Sequence, residues 1–139
     1  MSATPEEIAT LVAAVEARVA ESLLIELTNP RAPGAAAVNS DTLEAACTDA
    51  VAALEAQSGV AFVVTSAVQV MLAVELVLAL LYERAGSSEQ AARHYKAAEP
   101  GLEALAKRAA QAPRSSRGKG EPFDFDAETW RGYRSDGAQ

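Results

Sequence analysis

The residue types that most often catalyse reactions or bind metal ions are scarce in this chain of 139 residues. His94 is the one histidine and Cys47 the one cysteine, and the sequence places them in different predicted helices. A zinc site draws several ligands from these two residue types, so we expect no metal site. His94 has charged neighbours and is expected on a solvated helix face. Cys47 lies in an alanine-rich apolar stripe and is expected to be a small core residue.

The remaining residues form no catalytic pattern either. Gly118 and Gly120 neither follow a strand pattern nor precede a helix, unlike the glycines of a phosphate-binding loop. Glu75 is unusual because it lies within the most apolar segment of the chain. We expect it to reach the helix rim, to pair with a base such as Arg84 or Arg108, or to contact another subunit, rather than to act as an acid or base. The sequence therefore predicts a protein that is not an enzyme and uses no cofactor.

The C-terminal segment contains the densest group of side chains suited to binding. Four of the seven aromatic residues fall between Phe123 and Tyr133, where they alternate with charged residues. Aromatic residues and arginine dominate binding hot spots because they bury much area at a modest entropic cost. We predict a partner-binding arm that uses six side chains: Phe123, Phe125, Trp130, Arg131, Tyr133 and Arg134. The alternative is that these side chains fold back and cover the body of the protein.

Helix signals begin close to the N-terminus, and alanine, the strongest helix former, is abundant. Thr4-Pro5-Glu6-Glu7 has the cap, the proline and the glutamate of a helix start. The apolar residues from Ile8 to Leu23 then predict one helix, which ends at Asn29-Pro30. A capping pattern at Asp41 predicts a second helix, and Gly59 is placed to end it.

Residues 60–64 are expected to form a short strand or an extended connector. From Ser66 to Arg84, apolar residues occur on every side of the predicted helix, so we expect protein to surround it. A chain of this size offers few other helices. Part of this helix, or of the helices beside it, is therefore expected to be buried between subunits. Gly86 is placed to end the helix, and Pro100-Gly101 is expected to kink or break the one that follows.

Together these signals predict the all-α class, as a small bundle of four to five helices with an extended C-terminal tail. We place a helical domain at residues 1–112 and a flexible arm at residues 113–139, because no apolar period continues beyond Pro113. Residues 1–111 carry fourteen acidic and seven basic side chains, whereas the remainder is neutral. Such a body repels nucleic-acid phosphates and anionic lipids, so neither is an expected high-affinity partner.

The sequence also indicates where the protein resides. Residues 56–74 are nineteen consecutive uncharged positions, which approaches the length of a membrane span. Six polar or glycine residues interrupt this stretch, so we expect a turn and a buried helix instead of a span. The acidic N-terminus does not match a secretory signal, and a single cysteine allows no intrachain disulfide; both favour a reducing compartment.

Three stretches together resemble the small head–tail adaptor (connector, or head completion) proteins of tailed bacteriophages and related gene-transfer particles. Residues 41–62 (DTLEAACTDAVAALEAQSGVAF) have the acidic start, the alanine-rich middle and the glutamate before a glycine turn. Residues 66–86 (SAVQVMLAVELVLALLYERAG) are similar to the apolar central helix, and Tyr82, Glu83 and Arg84 stand at its Tyr-Glu-x-Arg-like signature, with Arg84 one position early. Residues 93–107 (RHYKAAEPGLEALAK) are similar to the last helix of some members, although Pro100-Gly101 departs from it.

This resemblance implies a structural adaptor that forms a homo-oligomeric, dodecameric ring and extends the DNA channel between the portal and the tail. The implied partners are the portal protein and tail-side stopper or tail proteins, and DNA passes through without specific binding. The implied location is the head–tail interface of the virion, after synthesis in the bacterial cytoplasm. Glu75, Tyr82 and Arg84 are then the candidates for the subunit interface.

A second resemblance supports the alternative of a tetratricopeptide-like helical protein-binding module. Seven residues fall at the spacing of one tetratricopeptide repeat: Leu78, Ala79, Tyr82, Gly86, Ala91, Tyr95 and Ala98. No second copy of the pattern is visible, and a solitary repeat cannot bury its own apolar face. This alternative therefore ranks behind the adaptor, and a small helical enzyme or regulator ranks third.

Overall fold

The computed structural model describes residues 3–111, and these residues form five α-helices. The helices are α1 (Pro5–Arg18), α2 (Glu21–Thr28), α3 (Ser40–Ser58), α4 (Ala67–Arg84) and α5 (Ser88–Gln111). Residues 3–111 contain no strand, so the predicted all-α bundle of four to five helices is confirmed. The predicted arm, residues 113–139, lies outside the described residues.

Helix α1 begins as its sequence predicts but ends earlier. The Glu7 N–H donates to Thr4 Oγ1 at 3.2 Å, and the Thr4 N–H donates to Glu7 Oε1 at 2.8 Å, which completes the capping box. The prediction of one helix as far as Asn29 is wrong, because the backbone of Val19 is extended and separates α1 from α2. The break redirects the chain so that Leu24, which is 1% exposed, enters the core; packing outweighs the continuous apolar stripe.

The loop between α2 and α3 is held by side chains from both of its ends. Thr28 Oγ1 donates to the Leu24 carbonyl oxygen at 2.7 Å and accepts from the Asn39 N–H at 3.0 Å. Asn29 Nδ2 donates across the loop to the Ala37 carbonyl oxygen at 2.9 Å. Asn39 also caps α3 by accepting from the Thr42 N–H at 3.2 Å. The predicted start at Asp41 is therefore two residues late, and asparagine supplies the cap.

An extended connector, and not a strand, joins α3 to α4. Gly59 ends α3 with a φ of 70°, as predicted, because glycine adopts this left-handed conformation without strain. The Phe62 N–H donates to Glu55 Oε2 at 2.9 Å, and the Val63 N–H donates to Gln69 Oε1 at 2.6 Å. These side-chain acceptors satisfy backbone N–H groups that have no partner in a helix or a sheet.

Helix α4 lies at the centre of the bundle and packs chiefly against α3, and also against α1 and α2. Small side chains allow the helices to approach closely: Ala46 and Ala50 of α3 and Ala73 and Ala79 of α4 are all 0% exposed. Larger apolar side chains from four helices fill the rest of the core. They include Leu11, Val15, Leu24, Leu43, Leu54, Leu76, Val77 and Leu81.

Helix α5 returns along α4 after a turn at Gly86, which has a φ of 88°. The expectation at Pro100-Gly101 was a kink or a break, and the break does not occur, because α5 is one helix from Ser88 to Gln111; the kink stays a prediction. Gly101 lies against α4 instead. A Cβ atom at this position would lie 2.5 Å from Leu72 Cδ2, so a larger residue requires the Leu72 side chain to shift.

Met1–Ala109 form one compact unit, and of the second unit, Ala110–Gln139, only the last two residues of α5 are described. No helix within residues 3–111 has both the length and the apolar character needed to cross a bilayer.

Candidate functional site

One face of α4 is exposed at its N-terminal end and half-buried along the rest of the helix. Val68, Met71, Glu75, Leu78 and Tyr82 follow one another at three- and four-residue steps and therefore share one face, which we call the outer stripe. Val68 and Met71 are each 57% exposed, whereas the other three are half-buried. The expectation was that protein surrounds this helix on every side. A single chain does not cover Val68 and Met71, so the expectation is not met there.

The middle of the outer stripe contacts the only histidine. His94 Nδ1 lies 2.7 Å from Glu75 Oε1, and the imidazole stacks on the ring of Tyr82 with centroids 5.4 Å apart and planes inclined by 10°. The expectation that His94 lies on a solvated helix face is wrong. Helix α5 runs antiparallel to α4, so its inner face brings His94 between two residues of α4 that lie two turns apart.

The two bases proposed as partners of Glu75 do not contact it. Its partner is His94, while Arg84 Nη2 lies 2.5 Å from Asp49 Oδ2 of α3. The Arg84–Asp49 pair is exposed, and such pairs contribute at most about 1 kcal/mol to stability. Glu75, Tyr82 and Arg84 thus all make contacts within the chain, and their role at a subunit interface stays a prediction.

The last turn of α4 also holds α5 through Glu83. The Tyr95 hydroxyl donates to Glu83 Oε1 at 3.0 Å. Partial burial raises the pKa of Tyr95, and its hydrogen bond to the Glu83 carboxylate raises it further. The Tyr82-Glu83-Arg84 sequence therefore connects α4 to α5 by its first two residues and to α3 by its third.

The one cysteine lies in the core of the described body. Cys47 is 0% exposed, and burial, followed by the nearby carboxylates of Glu44 and Glu16, raises its pKa to about 12. A thiol in this state is a poor nucleophile and metal ligand. Residues 3–111 contain no group of three or more histidine, cysteine, aspartate or glutamate side chains arranged to hold a metal ion.

The described residues also form two concave surfaces. Adjoining depressions of about 450 and 320 Å³, both lined by Ala3, Ile8 and Thr48, form what we call the α1–α3 groove. Glu55 lines the first depression and Glu44 the second, so the groove combines an apolar floor with carboxylates. A wider depression of about 770 Å³ is formed by α2, the loop after it and the turn between α4 and α5, and Tyr82 lines it.

Charge divides the helical body into two halves. Residues 3–58, which include α1 to α3, carry nine acidic and two basic side chains. Residues 59–111, which include α4 and α5, carry five of each. The net charge of −7 therefore belongs to the α1–α3 half, and the half that bears the outer stripe is neutral.

The predicted arm residues cannot be placed beside these surfaces, because Phe123, Phe125, Trp130, Arg131, Tyr133 and Arg134 lie outside the described residues. Sequence reasoning missed the contact of His94 with Glu75 and Tyr82. This contact could have been predicted from the turn at Gly86. In an antiparallel pair of helices, residues that follow such a turn lie beside residues that precede it. No protein-family model, no curated protein and no solved structure matches the chain.

Proposed function

We propose that this protein is a structural adaptor that forms an oligomeric ring between the portal and the tail of a phage-like particle and extends its DNA channel. Its partners are further copies of itself, the portal protein and tail-side stopper or tail proteins. It is made in the bacterial cytoplasm and acts at the head–tail interface of the particle. It has no catalytic role in this proposal.

The observation that carries the proposal is the exposure of Val68 and Met71 on the most apolar helix of the chain. Burial of apolar surface is worth about 25 cal/mol per Å², so a small protein gains stability by covering such side chains. Contiguous exposed apolar surface commonly marks an interface with another protein. A ring of identical subunits provides this cover without requiring a larger fold.

Charge supports the part of the proposal that concerns DNA. The described body carries a net charge of −7, and the excess acid lies in residues 3–58. A negatively charged lining repels phosphates and so lets DNA slide past without sticking. Specific DNA binding would require a basic surface, which this half does not provide.

Electron microscopy of tailed particles from the bacterium that carries this gene tests the proposal. Wild-type protein should occupy a ring below the portal, and the Trp130→Ala/Tyr133→Ala double variant should fold normally but join the ring poorly. Loss of Trp130 alone should cost about 2 kcal/mol or more if it is a hot spot of the arm. Equal occupancy by both versions would remove the arm's role, and absence of the protein from every particle would refute the adaptor.

The α4–α5 hairpin favours a second candidate, a tetratricopeptide-like binding module. Ala79, Ala91 and Ala98, which match the small positions of that repeat, are all buried. The depression of about 770 Å³ next to Tyr82 would then receive a peptide. A module of this kind should stay monomeric or dimeric, so the copy number in solution and on particles separates the two candidates.

A further inference from the structure

The end of the α4–α5 hairpin opposite its turn combines apolar and basic side chains. Gly101 lies against Leu72 and the two helices are antiparallel, so residues that follow Gly101 lie beside residues that precede Leu72. This arrangement places Lys107 and Arg108 at the same end as the exposed apolar residues. We call this surface the hairpin end; it consists of Val63, Val68, Met71, Lys107 and Arg108, all of them exposed.

The α1–α3 groove has the complementary properties. Its floor includes Ile8 and Val51, and its carboxylates are those of Glu44 and Glu55. It belongs to the half of the body that carries the net charge of −7. The hairpin end and the groove share no residue, so one chain presents both surfaces at once. They come close to each other where the N–H of Phe62, the residue before Val63, donates to Glu55 Oε2.

We infer that the hairpin end of one copy binds the α1–α3 groove of a second copy. Val68 and Met71 enter the groove, while Lys107 and Arg108 face its carboxylates. An interface between two different surfaces repeats from copy to copy and yields a closed ring or an open chain, whereas a self-complementary patch stops at a dimer. This inference rests on the self-association in the proposed function but not on the identity of the particle.

Two pairs of substitutions test the inference in the full-length protein. Val68→Glu/Met71→Glu places carboxylates on the hairpin end and leaves the groove unchanged. Thr48→Glu/Ala52→Glu places them on the groove and leaves the hairpin end unchanged. All four side chains are exposed, so both variants should fold, as checked by circular dichroism. If the hairpin-end variant loses helix content, Val68→Ser/Met71→Ser takes its place. If the groove variant does, Ala52→Glu alone takes its place.

Mixing gives the decisive result. Sedimentation velocity over a concentration series should show that wild-type protein assembles and that each variant alone associates about tenfold or more weakly. An equimolar mixture should form a dimer and nothing larger, because one intact groove meets one intact hairpin end. A self-complementary interface would not be restored by mixing. Higher salt should weaken wild-type assembly, since opposite charges meet across the interface.

Ala13→Glu/Ala17→Glu is the matched control, because it adds the same two charges to exposed positions of α1 outside both surfaces. It should assemble like the wild type.

The inference is overturned if the mixture remains monomeric, if either variant assembles like the wild type, or if the wild type stays monomeric at every concentration. If each variant, tested separately, occupies the ring of the particle as fully as the wild type does, the inferred interface is overturned and the proposed function stands. If the protein is absent from particles but the mixture of variants forms a dimer, the proposed function is overturned and the inferred interface stands.

Discussion

At Gly101 two opposing effects act on a single residue. Glycine inside a helix costs about 1 kcal/mol relative to alanine, because the unfolded chain loses more conformational freedom on folding. A Cβ atom at Gly101 would lie 2.5 Å from Leu72 Cδ2 and 3.2 Å from Leu72 Cγ. Forcing an extra carbon into such a contact costs about 1–3 kcal/mol. The Leu72 side chain must shift to admit the extra carbon, and the cost of this shift opposes the gain in helix propensity.

We therefore predict that Gly101→Ala does not stabilise the protein and lowers its free energy of unfolding by up to about 2 kcal/mol. In a Leu72→Ala background the clash is gone, so the same substitution should instead raise that free energy by about 1 kcal/mol. Urea denaturation of the four proteins measures both steps. Ala104→Gly, at an exposed position of the same helix, gives the propensity term alone. The same effect of Gly101→Ala in both backgrounds would contradict the packing role.

The burial of Cys47 makes the stability of the protein depend on pH. Its pKa rises from the ordinary 9.0 to about 12 on folding, so the folded protein keeps a proton that the unfolded chain releases above about pH 9. Stability that this thiol contributes is complete below pH 9 and is lost as the pH rises towards 12. The raised pKa of Tyr95 acts in the same direction.

We predict that the stability difference between wild type and Cys47→Ala shrinks by about 1 kcal/mol between about pH 8 and about pH 10. Comparison with the alanine variant cancels the contribution of Tyr95 and of the other titrating groups. Urea denaturation under reducing conditions at each pH measures the difference. A difference that does not change with pH would show that the thiol titrates alike in the folded and unfolded chains.

At the scale of the helices, Thr28 joins α2 to α3. It is 2% exposed, and its hydroxyl both donates within α2 and accepts the N–H of Asn39 at the start of α3. Thr28→Val keeps the shape of the side chain but removes both hydrogen bonds. Because a partly buried N–H loses its acceptor, the free energy of unfolding should fall by about 1–3 kcal/mol.

Thr10→Val is the matched control for this prediction. Thr10 donates to the Glu6 carbonyl oxygen four residues earlier, as Thr28 does to Leu24, but it is exposed and links no second helix. Thermal denaturation should show little change for Thr10→Val and a clear loss for Thr28→Val. Equal losses would mean that the bond within the helix, and not the bond between helices, accounts for the effect.

Helix ends with strong local signals could be predicted from the sequence, and ends fixed by packing could not. The capping box at Thr4 and the left-handed Gly59 depend on residues next to them in sequence. The break at Val19 has no such signal, since neither proline nor glycine is present there. It follows from where Leu24 and Leu27 must enter the core, which only the assembled bundle determines.

The candidate surfaces show the same division on the scale of the whole molecule. Sequence reasoning identified the apolar helix 66–84 and the acidic charge of the body, which are properties of single segments. It could not identify which residues of that helix remain exposed or that the carboxylates of α3 line a groove with Ile8. These properties arise when segments distant in the chain pack together, and a single sequence carries no direct signal for such contacts.

The last prediction concerns the independence of the helical body from the arm. The buried polar side chains of the body all have hydrogen-bond partners within residues 3–111: Thr28 bonds to Leu24 and Asn39, Ser58 to Leu54 and Val60, and Gln69 to Val63. Each of these side chains therefore makes at least one hydrogen bond that does not depend on the arm. We predict that removal of residues 114–139 leaves a helical body that unfolds cooperatively.

Circular dichroism during heating measures this directly, with full-length Trp130→Ala/Tyr133→Ala as the control that keeps the arm but removes its largest side chains. The truncated protein should melt within a few degrees of both full-length proteins, because a loss of about 1 kcal/mol moves the midpoint of so small a domain by only about 4–8 °C.

The truncated protein should also assemble in solution as the full chain does, since the hairpin end and the α1–α3 groove both lie within the retained residues. Loss of the cooperative transition would show that the arm forms part of the core. Loss of assembly with the transition intact would instead assign subunit association to the arm, because the retained body would be folded and still unable to bind a second copy.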